Sequence, residues 1–353
     1  MIKNVHIKGF KSYRDKSIPL ANLTLLSGLN NSGKSSVIQS LRMFAAQHAG
    51  KSPLLTGHGD LDDIRSDFVG PNEDITVSLT FNDSKISSMI LKSVESLSVT
   101  PALCPIFSYI GADRLGPQIN LPINFSNKSH PTVGEKGEYT FDYIEQLTTS
   151  MHAVPEKLSH PTSKSKMFEY ELRGWITEIA PGVEFKCSSN KKSSVSHAEI
   201  DTYKPTNVGF GLSYTLPIIA ATLGASSEPT TVENSPQSSS REDILLAIEN
   251  PEAHLHPQGQ TAMGRMLALA AACGIQIIVE THSEHVMDGV RIAVKEGLLN
   301  HSDVIFHYFE KDASGLTEVK TPNLDENGKL DFWPTGFFDQ TLKNRSVLAK
   351  RSR

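Results

Sequence analysis

Residues 28–36 read Gly28-Leu29-Asn30-Asn31-Ser32-Gly33-Lys34-Ser35-Ser36. The spacing GxxxxGK[ST] is met by Gly28, Gly33, Lys34 and Ser35. An apolar run, Leu23 to Leu26, precedes the stretch, and VIQSLRMFAAQ follows with helical character. A phosphate cradle needs that strand–turn–helix setting. The glycines let the loop, with Asn30, Asn31 and Ser32 between them, wrap phosphates in backbone N–H groups. Lys34 reaches the β- and γ-phosphates, and the Ser35 hydroxyl ligates Mg²⁺. The helix beginning near Gly33 adds its positive N-terminal end. A nucleoside triphosphate with Mg²⁺ is the ligand this stretch implies.

Such a loop needs a carboxylate from a neighbouring strand to hold the magnesium. ILLAIENPEAHLHP (244–257) offers it: buried apolar residues end in Glu249, followed by Asn250, Pro251 and Glu252. A carboxylate at the end of a buried strand is costly unless it serves a charge, and Mg²⁺ is such a charge. His254 and His256 lie two apart, and no further Cys or His completes a zinc set. IQIIVETHSEHVMD (275–288) ends a second apolar strand in Glu280-Thr281-His282-Ser283. In a parallel sheet His282 faces the same crevice and can touch the γ-phosphate or the attacking water. NVGFGLSYTLPIIAATL (207–223) sets Gly209, Gly211 and Ser213 at the start of an apolar helix, a second phosphate-binding pattern. One chain has no use for two γ-phosphate cradles. A dimer has, if each nucleotide lies between the loop of one copy and this stretch of the other.

The 353 residues suffice for one large or two medium α/β domains. Hydrophobic content of 38% and charged content of 21% fit a globular chain and exclude disorder throughout. A net charge of −5 supplies no global field for nucleic acid, so DNA contact needs a local patch. Cys104, Cys187 and Cys273 are far apart and form no disulfide framework, which points to a reducing cytoplasm. No run of about 18 apolar residues predicts a membrane span, and MIKNVHIKGF alternates like a strand rather than a signal peptide.

Alternation and apolar runs predict strands at 2–10, 23–27, 74–81, 106–114, 244–249 and 275–280. Helices are expected at 34–48 and about 258–273, the latter between two apolar strands, so the fold class is α/β with a parallel sheet. Residues 116–205, rich in Ser, Lys, Asn, Pro and His, read as an insertion with one helix from Ser165 to Ile179. Residues 225–243 are a low-complexity loop. The expected organisation is an N-terminal ATPase lobe 1–115, an insertion subdomain 116–205, a C-terminal ATPase lobe 206–320 and a tail 321–353.

The ordered set FKSYRD, GLNNSGKSS, YIGADRLGP, NVGFGLSYTLP, LLAIENPEAHLHP and IIVETHS resembles the head domains of the ABC/SMC-like ATPases. More narrowly it resembles small bacterial AAA-type ATPases of the overcoming-lysogenisation-defect (OLD) group. LDENGKLDFWPTGFFDQ (324–340) is similar to a tail motif of one subfamily. The resemblance implies a P-loop head with a mixed or parallel sheet flanked by helices. It makes Gly28 to Ser36 the Walker A loop and Glu249 the Walker B magnesium ligand. Gly209, Gly211 and Ser213 become the signature motif acting across a nucleotide-bridged homodimer or higher oligomer, with ATP and Mg²⁺ as ligands. Ala253 to His256 would lie in the loop crossing between heads, His282 would be the switch histidine and Arg114 a coupling arginine. Gln118 is the weak candidate for a glutamine lid.

One departure from the family pattern matters. The usual order is a magnesium Asp, a catalytic Glu, then Pro. Pro251 sets the register here, so Asn250 stands at the Glu place. Asparagine accepts no proton, although its amide can orient a water. Two options follow: hydrolysis is slow and ATP acts mainly as dimerisation glue, or Glu252 supplies the base. Relatives work in anti-phage defence or DNA repair beside a separate, co-encoded effector. Those that are nucleases carry an extra acidic metal domain, so no intrinsic nuclease is expected. The competing reading is direct DNA binding through Lys186, Lys191 and Lys192, or through Lys343, Arg345, Lys350, Arg351 and Arg353. The tail aromatics Phe332, Trp333, Phe337 and Phe338 are expected to fold back onto the core.

Overall fold

The computed structural model describes all residues except 93–98, 126–129, 182–184, 191–193, 201–209, 231–242, 335, 339 and 350–353. Two units emerge. The first holds Met1–Phe107, His301–Asp325 and Lys329–Arg353; the second holds Ser108–Asn300 and Glu326–Gly328.

In the first unit β1 (Ile2–Phe10) turns Ile2, Val5 and Ile7 inward and pairs antiparallel with β2 (Tyr13–Pro19). Next comes β3 (Leu23–Gly28), whose residues Leu23, Thr24, Leu25, Leu26 and Ser27 are all buried. A continuous apolar run of this kind belongs to a strand covered on both faces. The loop after it opens α1 (Lys34–His48), which buries Val37, Ile38, Leu41 and Phe44 at helical spacing. Short α2 (Leu61–Ile64) is closed by an Asp60/Asp63 capping box. β4 (Ile75–Phe81) alternates strictly, burying Ile75, Val77, Leu79 and Phe81, and joins β5 (Ile86–Leu91) in a sheet of order β2-β1-β4-β5. β6 (Ile106–Ile110) then carries the chain out of this unit.

The second unit begins with β7 (Asn120–Pro122), α3 (Thr140–Thr149), β8 (His152–Ala153) and α4 (Phe168–Ile179). β9 (Phe185–Asn190) and β10 (Val195–Ile200) complete an antiparallel sheet of order β7-β10-β9. The expected helix in the 116–205 stretch is α4. α3 and the small sheet were not legible, because the strands are short and polar and α3 opens and closes on threonines. Apolar α5 (Phe210–Ser226) follows, then β11 (Glu228–Pro229), while residues 231–242 of the low-complexity stretch lie outside the described residues. β12 (Ile244–Glu249), α6 (Pro257–Ala272) and β13 (Gln276–Glu280) form the strand–helix–strand unit expected from sequence. The two strands are parallel, and Glu249 is in register with Glu280. α7 (Glu284–Lys295) starts on Ser283, whose hydroxyl accepts from the His285 and Val286 amides.

Back in the first unit, β14 (Val304–Lys311) lies parallel to β3, from Val304 opposite Leu23 to Phe309 opposite Gly28. β15 (Thr317–Lys320) covers its other side antiparallel, so this sheet is mixed. α8 (Gln340–Ala349) ends the described chain. Of the tail aromatics, Phe337 is buried against Tyr308 with rings 5.6 Å apart, as expected. Phe332 and Trp333 remain exposed, correcting the expectation that the whole cluster folds back. Burial pushes the Cys104 and Cys187 thiols up to about 12, which keeps both protonated.

Candidate nucleotide site

In the first unit the loop between β3 and α1 takes its shape from three left-handed residues: Asn31 at φ +61°, Gly33 at +105° and Gly28 at +143°. Gly28 is required sterically, since a Cβ there would stand 2.1 Å from the Phe309 carbonyl oxygen on β14. Two hydroxyls brace the loop from outside. Tyr13 donates to the Gly33 carbonyl at 2.9 Å, and Thr317 donates to the Ser32 carbonyl at 2.9 Å. Lys34 is buried and donates to the Gly28 and Leu29 carbonyls at 3.1 and 2.8 Å. No side chain caps α1 at Gly33, so the first-turn amides face the loop as an anion site does. Ser32 Oγ is buried without a hydrogen-bond partner. A cavity of about 570 Å³ opens here, lined by Asn31 to Ser36 and by Lys11, Arg65 and Phe68. Its size suits a nucleotide. These features fit a triphosphate, and the Ser35 hydroxyl would be a ligand of its Mg²⁺.

In the second unit the ends of β12 and β13 are bound together. Glu249 Oε2 accepts from the Ala112 amide at 3.3 Å. Asn250 turns left-handed at φ +46°, its amide donates to the Glu280 carbonyl at 2.8 Å, and its Oδ1 is buried without a partner. Glu252 accepts on both oxygens, from the Thr281 hydroxyl at 2.7 Å and from the His282 amide at 2.8 Å. The His282 side chain itself is exposed. Arg114, 3% exposed, donates to the carbonyls of Gly111, Glu249 and Asn250 at 2.6, 2.7 and 2.6 Å. Burial pulls its pKa down, and the carboxylates of Glu252 and Glu249 oppose that. Among the described residues no group of three or more His, Cys, Asp and Glu is arranged to hold a metal by itself. Glu249 is the carboxylate of this unit that would serve as one ligand of Mg²⁺.

Residues 1–168 and 123–287 match a family model described as an AAA ATPase domain. The chain belongs to the AAA ATPase domain family. Residues 299–348 match a further model described as a protein of unknown function, DUF3696. No curated protein matches the chain. Its fold is that of an SMC head: an SmcHead bound to the C-winged helix domain of ScpA is 14% identical over 92% of this chain and 98% of that one, with a TM-score of 0.51. An SMC head domain from Thermotoga maritima matches at 15% identity over 90% and 98%, with a TM-score of 0.47. A third match is an Smc head with an extended coiled coil, bound to the C-terminal domain of ScpA derived from Pyrococcus furiosus. It is 12% identical over 99% of both chains, with a TM-score of 0.48. No helix among the described residues is long and apolar enough to cross a membrane.

Within this AAA ATPase the candidate residues fall into two groups. Gly28, Asn30, Asn31, Ser32, Gly33, Lys34, Ser35 and Ser36 are contiguous in the first unit. Glu249, Asn250, Glu252, His282 and Arg114 are gathered in the second. Gly211 joins that group, since a Cβ on it would stand 3.1 Å from the His254 carbonyl oxygen. Ser213 is half-buried on the first turns of α5, and Gln118 lines the same small recess of about 20 Å³. Gly209 lies outside the described residues. Sequence reasoning missed Tyr13, Thr317, Phe68, Thr281 and Tyr214. Tyr13, Tyr214 and Thr281 stand inside the motifs FKSYRD, NVGFGLSYTLP and IIVETHS, but the motifs assign them no role.

Proposed function

We propose that this ATPase is a slow switch: ATP closes two copies head to head, and the closed state is passed to a separate effector in the cytoplasm. Asn250 carries this reading. It stands where a proton acceptor is expected, and an amide takes no proton. Glu252, the alternative base, already accepts two hydrogen bonds that tie the β12 turn to the end of β13, which favours a positioning task. Lys34 and the loop amides bind the phosphates, and Ser35 and Glu249 serve as the magnesium ligands. Mg²⁺ at these ligands would offset the charge of the triphosphate. Asn250 orients the attacking water, and exposed His282 reports on the γ-phosphate. Gly211 and Ser213 complete the nucleotide site of the partner copy. Anti-phage defence or DNA maintenance is the setting we infer, with the effector rather than this chain cutting or poisoning its target.

The test is ATP turnover in the wild type, Asn250→Glu and Glu252→Gln. Wild-type turnover is expected below about 1 s⁻¹, and Asn250→Glu should raise it tenfold or more, a modest part of what a general base supplies. Brisk wild-type turnover indifferent to Glu252→Gln overturns the slow-switch reading. Light scattering tests the closure: the 38.6 kDa chain should double in mass with ATP, and Ser213→Arg should prevent it. A salt-dependent gel shift on duplex DNA would move the task from effector control to the nucleic acid itself.

A further inference from the structure

The turn after β12 contains two left-handed non-glycine residues, Asn250 at φ +46° and His254 at φ +62°. Asn and His enter that conformation more readily than most residues, and here contacts around each of them fix it. Asn250 is held by Arg114, whose guanidinium bonds the carbonyls of Glu249 and Asn250 at 2.7 and 2.6 Å. Arg114 in turn lies over the Tyr214 ring, 5.6 Å from its centroid. The other restraint is on His254, whose ring meets Tyr214 at 4.5 Å and 60°, and whose carbonyl oxygen lies against Gly211. Tyr214 therefore stands between the two restraints, and it belongs to α5 one residue after Ser213. A buried guanidinium on an aromatic face is a strong, direction-dependent contact, so the ring fixes where the guanidinium sits.

We propose that Tyr214 is a positioning residue: wedged between Arg114 and His254, it makes the placement of α5 set the geometry of the Glu249–Asn250 turn. Engagement of Ser213 by a nucleotide thereby reaches the catalytic turn of the same copy through a single side chain. Gly211 borders the device, since a Cβ there would stand 3.1 Å from the His254 carbonyl oxygen and press on the His254 backbone. This inference rests on the reading of that turn as part of the ATPase site.

Two measurements separate the inference from that reading. The first needs no nucleotide: hydrogen exchange by mass spectrometry of the full chain, following the peptide that contains the Asn250 amide, which donates to the Glu280 carbonyl. Tyr214→Leu should speed that exchange about tenfold, the loss of one desolvated cation–π contact, and Tyr214→Phe should recover most of the protection. The second is steady-state turnover. Tyr214→Leu should lower kcat about tenfold with little change in KM, because the phosphate loop is in the other unit. Combining it with Arg114→Lys should cost no more than the larger single effect, as for residues that act through one another. Unchanged exchange in Tyr214→Leu, or exchange raised equally in Tyr214→Phe, overturns the inference whatever the rates show. Faster exchange in Tyr214→Leu, in a protein whose turnover ignores Glu249→Gln, keeps the inference about the turn and removes the reading of the site.

Discussion

The phosphate loop and the acidic turn are built in opposite ways. The loop is nine consecutive residues, and its conformation is written into them: two glycines at positive φ, a lysine curled onto its own carbonyls and an uncapped helix start. The acidic turn holds Glu249 and Asn250 with parts drawn from residues 111–114, 211–214 and 280–282. A loop of the first kind depends on its own residues first and on a few outside braces, Tyr13, Thr317 and Phe309, second. A turn of the second kind is exposed to change in any of its suppliers.

That contrast can be broken or sharpened by experiment. The largest effect is expected from Lys34→Ala, which removes the ammonium from the phosphates: turnover and ATP affinity should both fall at least about a hundredfold. Glu249→Gln should abolish turnover to a similar degree while isothermal titration still shows ATP bound. If both variants lose binding equally, the division into a binding half and a chemical half is wrong. Gly28→Ala comes next. Its Cβ would stand 2.1 Å from the Phe309 carbonyl oxygen at a φ of +143°, so the chain should lose about 3 kcal/mol in urea unfolding. Gly50 offers the control, being left-handed at φ +71° with open space around it; Gly50→Ala should cost no more than about 1 kcal/mol.

The smallest effect is electrostatic and belongs to neither half. His307 on β14 is fully buried, donates Nε2–H to the Pro19 carbonyl at 2.8 Å and accepts on Nδ1 from the Thr321 hydroxyl at 2.8 Å. Burial pulls its pKa down to about 4, below the ordinary 6.5. The folded chain thus keeps His307 neutral where the unfolded chain binds a proton. Its contribution is complete above about pH 6.5 and is lost as pH falls toward 4. At pH 5.5 the loss should be about 1 kcal/mol relative to pH 7.5, read as a shift in the urea midpoint. A His307→Gln variant should show a flatter profile over the same window.

Much of the frame was legible before the structure. The bounds of β1 (Ile2–Phe10), β12 (Ile244–Glu249) and α1 (Lys34–His48) coincide with the sequence reading, because each has an unbroken apolar period and a glycine or charged residue to end it. The small sheet of β7, β9 and β10 escaped, since strands of three to six residues that mix polar and apolar side chains carry no period long enough to read, and the ten residues of α3 open and close on threonines. Among the site residues, Glu249 was readable from the cost of ending an apolar strand on a carboxylate. Glu252 was read as a possible base, yet its two hydrogen bonds to Thr281 and His282 give it a structural task that sequence adjacency could not show.

The sequence alone determined the strand–loop–helix form of residues 23–48, because the glycines and the lysine of the loop act through backbone geometry within nine residues. Only the tertiary structure decided what holds Asn250 in its left-handed turn. Arg114 and Tyr214 lie 136 and 36 positions before it, and contacts at such separations leave no periodic trace in the chain. They come about where folding brings a buried guanidinium, an aromatic face and two carbonyls within reach of one another.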